Sequence, residues 1–156
     1  MSSEIPIANL SRKYQDPWWR HTRTLNLIEK SKIDLNYKNI LDLGCDDGSL
    51  EEYLFERGII NSKIEGWDQV DNRLEEKKFR KKWSHKIVDL SKNWPSDKKF
   101  EIIFALEIIE HIIDTDAFLE KCKKISGNNS YIIFTTPNLG SLRNRWRLLV
   151  GKYPIQ

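Results

Sequence analysis

Short apolar or β-branched runs punctuate this chain at 39–44, 63–68, 86–90, 100–106 and 130–137. Each is too short for a helix and is bounded by Gly, Pro, Asp or Asn, which reads as five strands. Between them apolar residues recur at helical spacing: Leu50, Tyr53 and Leu54 after the first strand, the stretch 70–79 after the second, and Ala117, Phe118 and Ile125 after the fourth, with Gly127 placed to end that helix. A helix over 17–32 precedes the first strand and another over 140–150 follows the last.

The runs Ile102-Ile103-Phe104 and Ile132-Ile133-Phe134 show no polar alternation, as strands covered on both faces require. Strand and helix in turn therefore predict a parallel sheet wrapped by right-handed crossovers, the doubly wound α/β class. In such sheets a ligand sits outside the carboxyl ends of the strands, where strand order reverses. The residues just after each strand are the ones to inspect.

Length and composition narrow the class. A chain of 156 residues suits one domain with one core. With 26 Lys and Arg against 23 Asp and Glu, net +3, and charges along the whole chain, the expected surface is mixed and solvated, not a nucleic-acid stripe. Two cysteines, Cys45 and Cys122, are too few for a disulfide scaffold and point to a reducing compartment. No secretory signal pattern opens the sequence and no window approaches the roughly 18 apolar residues of a membrane span. The expected location is cytoplasmic.

After the first predicted strand comes Asp42-Leu43-Gly44-Cys45-Asp46-Asp47-Gly48. Glycines let the backbone approach a ligand closely, and the helix that follows offers free N–H groups to an anion. Read structurally, the same residues make a tight turn with Asp47 capping the helix. The three carboxylates argue against a pyrophosphate. They suit a ligand with both an ammonium and a carboxylate, such as the methionine part of S-adenosylmethionine.

Together with Ile40-Leu41, this loop resembles the first motif of the class I S-adenosylmethionine-dependent methyltransferases, and the resemblance extends over residues 14–154. It implies a Rossmann-like sheet in the order 3-2-1-4-5, helices on both faces, and S-adenosylmethionine as cofactor. Residues 1–34 would be a lid-like N-terminal segment containing Asp16-Pro17-Trp18-Trp19-Arg20, 35–137 the cofactor-binding core and 138–156 a C-terminal helix. By position the cofactor would be held by Asp42, Gly44, Cys45, Asp46 and Gly48 in the loop. Asp68 and Gln69 would meet the ribose diol, Asp89 and Leu90 the adenine, and Ala105, Leu106 and Glu107 the methionine. Asp68 also reads as an N-cap for the segment beginning at Val70. Asp46 stands where the family most often has Gly, so a left-handed backbone there would carry a cost.

The run Glu107-Ile108-Ile109-Glu110-His111 resembles the Glu-x-x-Glu-His segment of small-molecule methyltransferases, and three roles stay open for it. His111, with Glu110, acts as the catalytic base toward a hydroxyl or amine, since histidine titrates near neutrality. Alternatively Glu107, Glu110 and His111 ligate a divalent metal, as in small-RNA terminal 2′-O-methyltransferases, or Glu110 and His111 bond the backbone and fix the loop. The first is taken forward, without a metal.

The expected function is methyl transfer to an oxygen or nitrogen of a small metabolite, sugar or lipid, with no nucleic-acid partner. A cofactor-binding scaffold that is inactive or partner-dependent and a metal-dependent RNA 2′-O-methyltransferase are the rivals. In the tail, Arg143, Arg145, Arg147 and Lys152 beside Trp146, Leu148 and Leu149 read as a helix with a solvated basic face. Contact with an anionic substrate or membrane surface is the other reading. The chain stops before the family's sixth and seventh strands, which leaves the fifth as an exposed edge. A longer protein, a dimer or partner over that edge, or lost activity would each account for it.

Overall fold

The computed structural model describes residues 19–36, 38–60, 63–71, 83–95 and 97–154. Strand β1 (Ile40–Leu43) pairs in parallel with β2 (Ile64–Asp68) and β4 (Phe100–Leu106); β2 carries β3 (Trp83–Ile87) and β4 carries β5 (Ser126–Thr135), also in parallel. The resulting order, β3-β2-β1-β4-β5, is the one the resemblance implied. Helix α1 (Trp19–Lys30) precedes β1, α2 (Ser49–Glu56) follows it, α3 (Thr115–Ile125) joins β4 to β5, and α4 (Leu142–Leu149) follows β5.

Successive side chains of a strand point to opposite faces, and both faces here are covered. Ile40, Ile102 and Phe104 pack with Leu25 and Ile28 of α1 and Leu50 and Leu54 of α2. Leu41, Leu43, Ile103 and Ala105 pack with Phe118, Cys122 and Ile125 of α3. Burial on both sides is why β1 and β4 lack polar alternation. Glu65, a carboxylate inside β2, is tolerated because Trp67 Nε1 donates to it at 2.7 Å and Lys86 Nζ stands 2.6 Å away.

Two strands, β3 and β5, are placed differently from the sequence expectation. Strand β3 starts at Trp83 and stops at Ile87, so residues 88–90 lie beyond it. The chain turns there toward β2, with the Val88 N–H donating to the Asp68 carbonyl at 2.8 Å. Strand β5 starts directly after α3, and Gly127 lies inside the strand and does not cap the helix. Ser126 holds the C-cap position, its hydroxyl donating to the Cys122 carbonyl at 2.8 Å. A register shift opposite Phe100 and Ile102 absorbs the extra strand residues. The helix expected over 70–79 falls mostly on residues outside those described, as does Trp18.

Trp83 shapes the ground beneath the first loop. A Cβ at Gly66 would stand 2.6 Å from Trp83 Nε1 and 2.7 Å from Cys45 Sγ. The indole can cross β2 only because position 66 has no side chain, and its far edge lies against Gly48.

Candidate active site

The turn after β1 reverses tightly. Gly44 (φ 76), Asp46 (φ 44) and Gly48 (φ 78) are all left-handed, so Asp46 does carry the backbone conformation that favours glycine. Its N–H is held by the Asp68 carboxylate, Oδ2 accepting at 3.0 Å, while Oδ1 accepts the Val70 N–H at 3.2 Å. Gly44 N–H donates to the Trp67 carbonyl at 2.8 Å, and Asp47 Oδ1 accepts the Ser49 N–H at 3.1 Å. Asp47 therefore satisfies the first turn of α2 although Gly48 occupies the cap position.

Two cavities open on either side of Gly44 at the carboxyl ends of the strands. One is lined by Asp42, Cys45, Asp46 and Ser49 from the β1 side, Leu106, Glu107 and Thr135 from β4 and β5, and Arg20, His21 and Thr24 from α1. The other is lined by Asp68 and Gln69 after β2, Asp89, Leu90 and Ser91 after β3, and Ile108, His111 and Ile112 after β4. Gly44 lines both. A Cβ there would meet Ile108 Cδ1 at 2.9 Å, and the left-handed φ of 76 favours glycine at this junction.

The electrostatics of the halves differ. Burial, with Glu51 and Asp68 nearby, raises the Asp42 carboxyl well above the usual carboxylate range. Burial, then the Arg20 charge, lowers the His21 pKa below its ordinary value, with Asp47 opposing. Asp89 accepts from the Ser91 hydroxyl at 2.6 Å and the Ser91 N–H at 3.0 Å, with Lys92 Nζ at 3.1 Å. These partners bring its pKa down to about 2. Burial pushes the Cys45 thiol far up, so it packs and does not react.

Of the residues expected to hold a cofactor, Asp42, Gly44, Cys45, Asp46, Leu106 and Glu107 line the first half, and Asp68, Gln69, Asp89 and Leu90 the second. Gly48 and Ala105 are buried beneath the loop and in β4 and line neither. The Glu-x-x-Glu-His run is not gathered into one cluster. Glu107, itself left-handed at φ 55, faces the first half, His111 faces the second, and Glu110 is exposed on the 3₁₀ turn Ile109–His111. The three side chains therefore do not stand together, and among the described residues no group of three acidic, His or Cys side chains is placed to hold a metal ion. Their split follows from the left-handed turn at Glu107, whose N–H is bound by the Thr135 carbonyl and hydroxyl, both at 3.1 Å.

Arg20, His21, Thr24, Ser49 and Thr135 were not anticipated as site residues. Residues three and four apart share a helix face, so the spacing of Arg20, His21 and Thr24 carried the signal once α1 was known to lie over the cleft.

A parallel sheet in this order with a divided cleft at the end of β1 defines a nucleotide-type binding domain of the Rossmann-like class. The methyltransferase-domain family matches residues 14–154, and the chain belongs to that family. The ubiquinone biosynthesis O-methyltransferase of Pelagibacter ubique (strain HTCC1062) is 32% identical over 122 residues, covering 72% of this chain and 50% of that protein. The protein of the same name from Neisseria meningitidis (serogroup A / serotype 4A, strain DSM 15465 / Z2491) is 27% identical over 154 residues, covering 86% of this chain and 63% of its own length. The chain thus spans half to under two thirds of these curated relatives. Coclaurine N-methyltransferase, solved with N-methylheliamine and SAH, shares the fold at TM-score 0.61 and 16% identity, over 74% of this chain and 34% of that one.

Proposed function

We propose that this chain binds S-adenosylmethionine along the divided cleft and transfers its methyl group to an oxygen or nitrogen of a small molecule. The observation that carries the reading is the pairing of two unlike halves across Gly44. Arg20 with the Asp42 and Glu107 carboxylates suits the charged groups of an amino acid, and Asp68 with Leu90, Ile108 and Ile112 suits a ribose and a flat ring.

When bound, the cofactor supplies a methyl group on an electrophilic sulfonium. This chain's own residues bind and orient. Each Asp68 oxygen accepts one backbone bond and has acceptor capacity left for a ribose hydroxyl. Arg20 would pair with the carboxylate, and Asp42 would ionise against the ammonium. His111, with Glu110 beside it on the exposed turn, is assigned the acceptor's proton. Such proton transfer contributes about 10²–10⁴-fold, with proximity supplying the rest. The curated relatives' names favour an oxygen nucleophile on a small molecule. The left-handed Asp46 favours a second reading, a scaffold that binds cofactor without turnover.

Calorimetric titration with S-adenosylmethionine, followed by release of S-adenosylhomocysteine over a panel of phenolic acceptors, tests the proposal. We expect saturable binding, and turnover that drops about 10²-fold or more in His111→Gln with cofactor affinity unchanged. A weaker cofactor with kcat kept makes His111 a wall of the second half. Binding without turnover supports the scaffold, and a folded chain that does not bind overturns both readings.

A further inference from the structure

Helix α4 is turned the wrong way for a helix that packs on a core. Its inward residue is polar: Asn144 is 2% exposed, its Nδ2 donating to the Asn138 carbonyl and its N–H to the Ser141 hydroxyl, both at 3.3 Å. Leu142, Trp146 and Leu149 recur at i, i+4 and i+7, share the opposite face, and are 75%, 67% and 78% exposed. Val150 and Tyr153, just past the helix, are exposed as well. Arg143 follows Leu142 and Arg145 precedes Trp146, which puts them on opposite flanks of the apolar face. Single apolar residues on a surface need no account, but a contiguous face does. Arg143 and Arg145 are exposed, as a solvated basic helix requires, and the apolar face is exposed beside them.

Charge identifies what the face meets. After Glu120 the sequence holds seven Lys and Arg and no Asp or Glu. The modest net +3 therefore hides a basic end on an acidic remainder, contrary to the even spread assumed from composition. We propose that α4 and the residues through Tyr153 form an interfacial anchor that lays this face on an anionic lipid bilayer. The apolar stripe enters the headgroup boundary, Trp146 seats its amphipathic ring there, and Arg143 and Arg145 reach lipid phosphates from either flank. A nucleic acid would need the arginines but not the stripe. A second copy would set arginine against arginine across a two-fold axis. Because α4 follows β5, whose Thr135 lines the cleft, the bilayer would meet the molecule at the end of the sheet where the cleft opens.

Co-sedimentation of the full chain with phosphatidylcholine vesicles, with and without phosphatidylglycerol, tests this. We expect pelleting with the anionic vesicles only, diminishing with salt, and weakened about fivefold for each of Arg143→Gln and Arg145→Gln. Trp146→Ser with Leu149→Ser, exposed positions that leave the melting temperature unchanged, should weaken it at least as much. No pelleting with anionic vesicles overturns the proposal, as does pelleting that ignores the serine pair. Retention on duplex DNA without vesicle binding assigns the arginines to nucleic acid. A dimer broken by the serine pair, again without vesicle binding, assigns the face to a second copy. Either outcome overturns the anchor.

Discussion

The Asp68 carboxylate, at the end of β2, accepts the backbone N–H of Asp46 in the loop after β1, at 3.0 Å. The residue proposed to meet the ribose thus also holds the left-handed position of the loop, which would link loop order to cofactor affinity through one side chain. Asp68→Asn keeps an oxygen for that N–H and Asp68→Ala does not. We expect Asp68→Ala to cost about 1.5–3 kcal/mol of cofactor binding, with Asp68→Asn intermediate. Calorimetric titration of both variants checks it, and equal losses would remove the loop from the account.

Asp46 adopts φ 44, where a side chain strains the backbone. We expect Asp46→Gly to be more stable than Asp46→Ala by about 1 kcal/mol, the two sharing the lost carboxylate and differing in backbone freedom. For a chain of this size that is roughly 2–4 °C in Tm, readable by thermal unfolding. Equal melting temperatures would mean that the position is unstrained.

The raised Asp42 carboxyl has opposite effects on folding and binding. Since its folded pKa lies above the unfolded value, folding takes up a proton once the unfolded carboxylate ionises, and stability falls as pH rises from about the ordinary carboxylate range. Asp42→Asn, which mimics the protonated form, should melt higher than the parent at pH 7, with the gap closing toward pH 4. The same variant should bind cofactor about tenfold more weakly or worse, lacking the charge proposed to meet the ammonium. The parent should release a proton on binding, visible as a dependence of calorimetric heat on the buffer, and Asp42→Asn should not.

Trp83 and Gly66 are a matched pair, the indole Nε1 lying 2.6 Å from where a Cβ would stand. Gly66→Ala should destabilise by about 1–3 kcal/mol through overpacking. Adding Trp83→Leu should return part of that loss even though Trp83→Leu alone costs stability, a coupling measurable by denaturant unfolding of the four chains. Additive losses would show that the two do not touch.

What the sequence determined on its own is what local chemistry and periodicity dictate. Apolar runs bounded by Gly, Asp and Pro marked five strands, and the absence of polar alternation in Ile102-Ile103-Phe104 meant burial on both faces. The glycines and carboxylates of the 42–48 loop marked the turn that lines the cleft, and Asp46 was legible as its strained member because backbone strain is a property of residue type and φ alone. Tertiary structure decided what depends on distance. Glu107 and His111 are four residues apart, yet a single left-handed residue bound to Thr135 sends them to different halves of the cleft. Arg20 and His21 reach the cleft only because α1 packs over it. The direction of α4 was likewise beyond periodicity, which reports that apolar residues share a face but not whether that face turns inward. What turns inward is Asn144, which is buried, while Leu142, Trp146 and Leu149 on the opposite face stay exposed, and a sequence period cannot say which face the rest of the fold will cover.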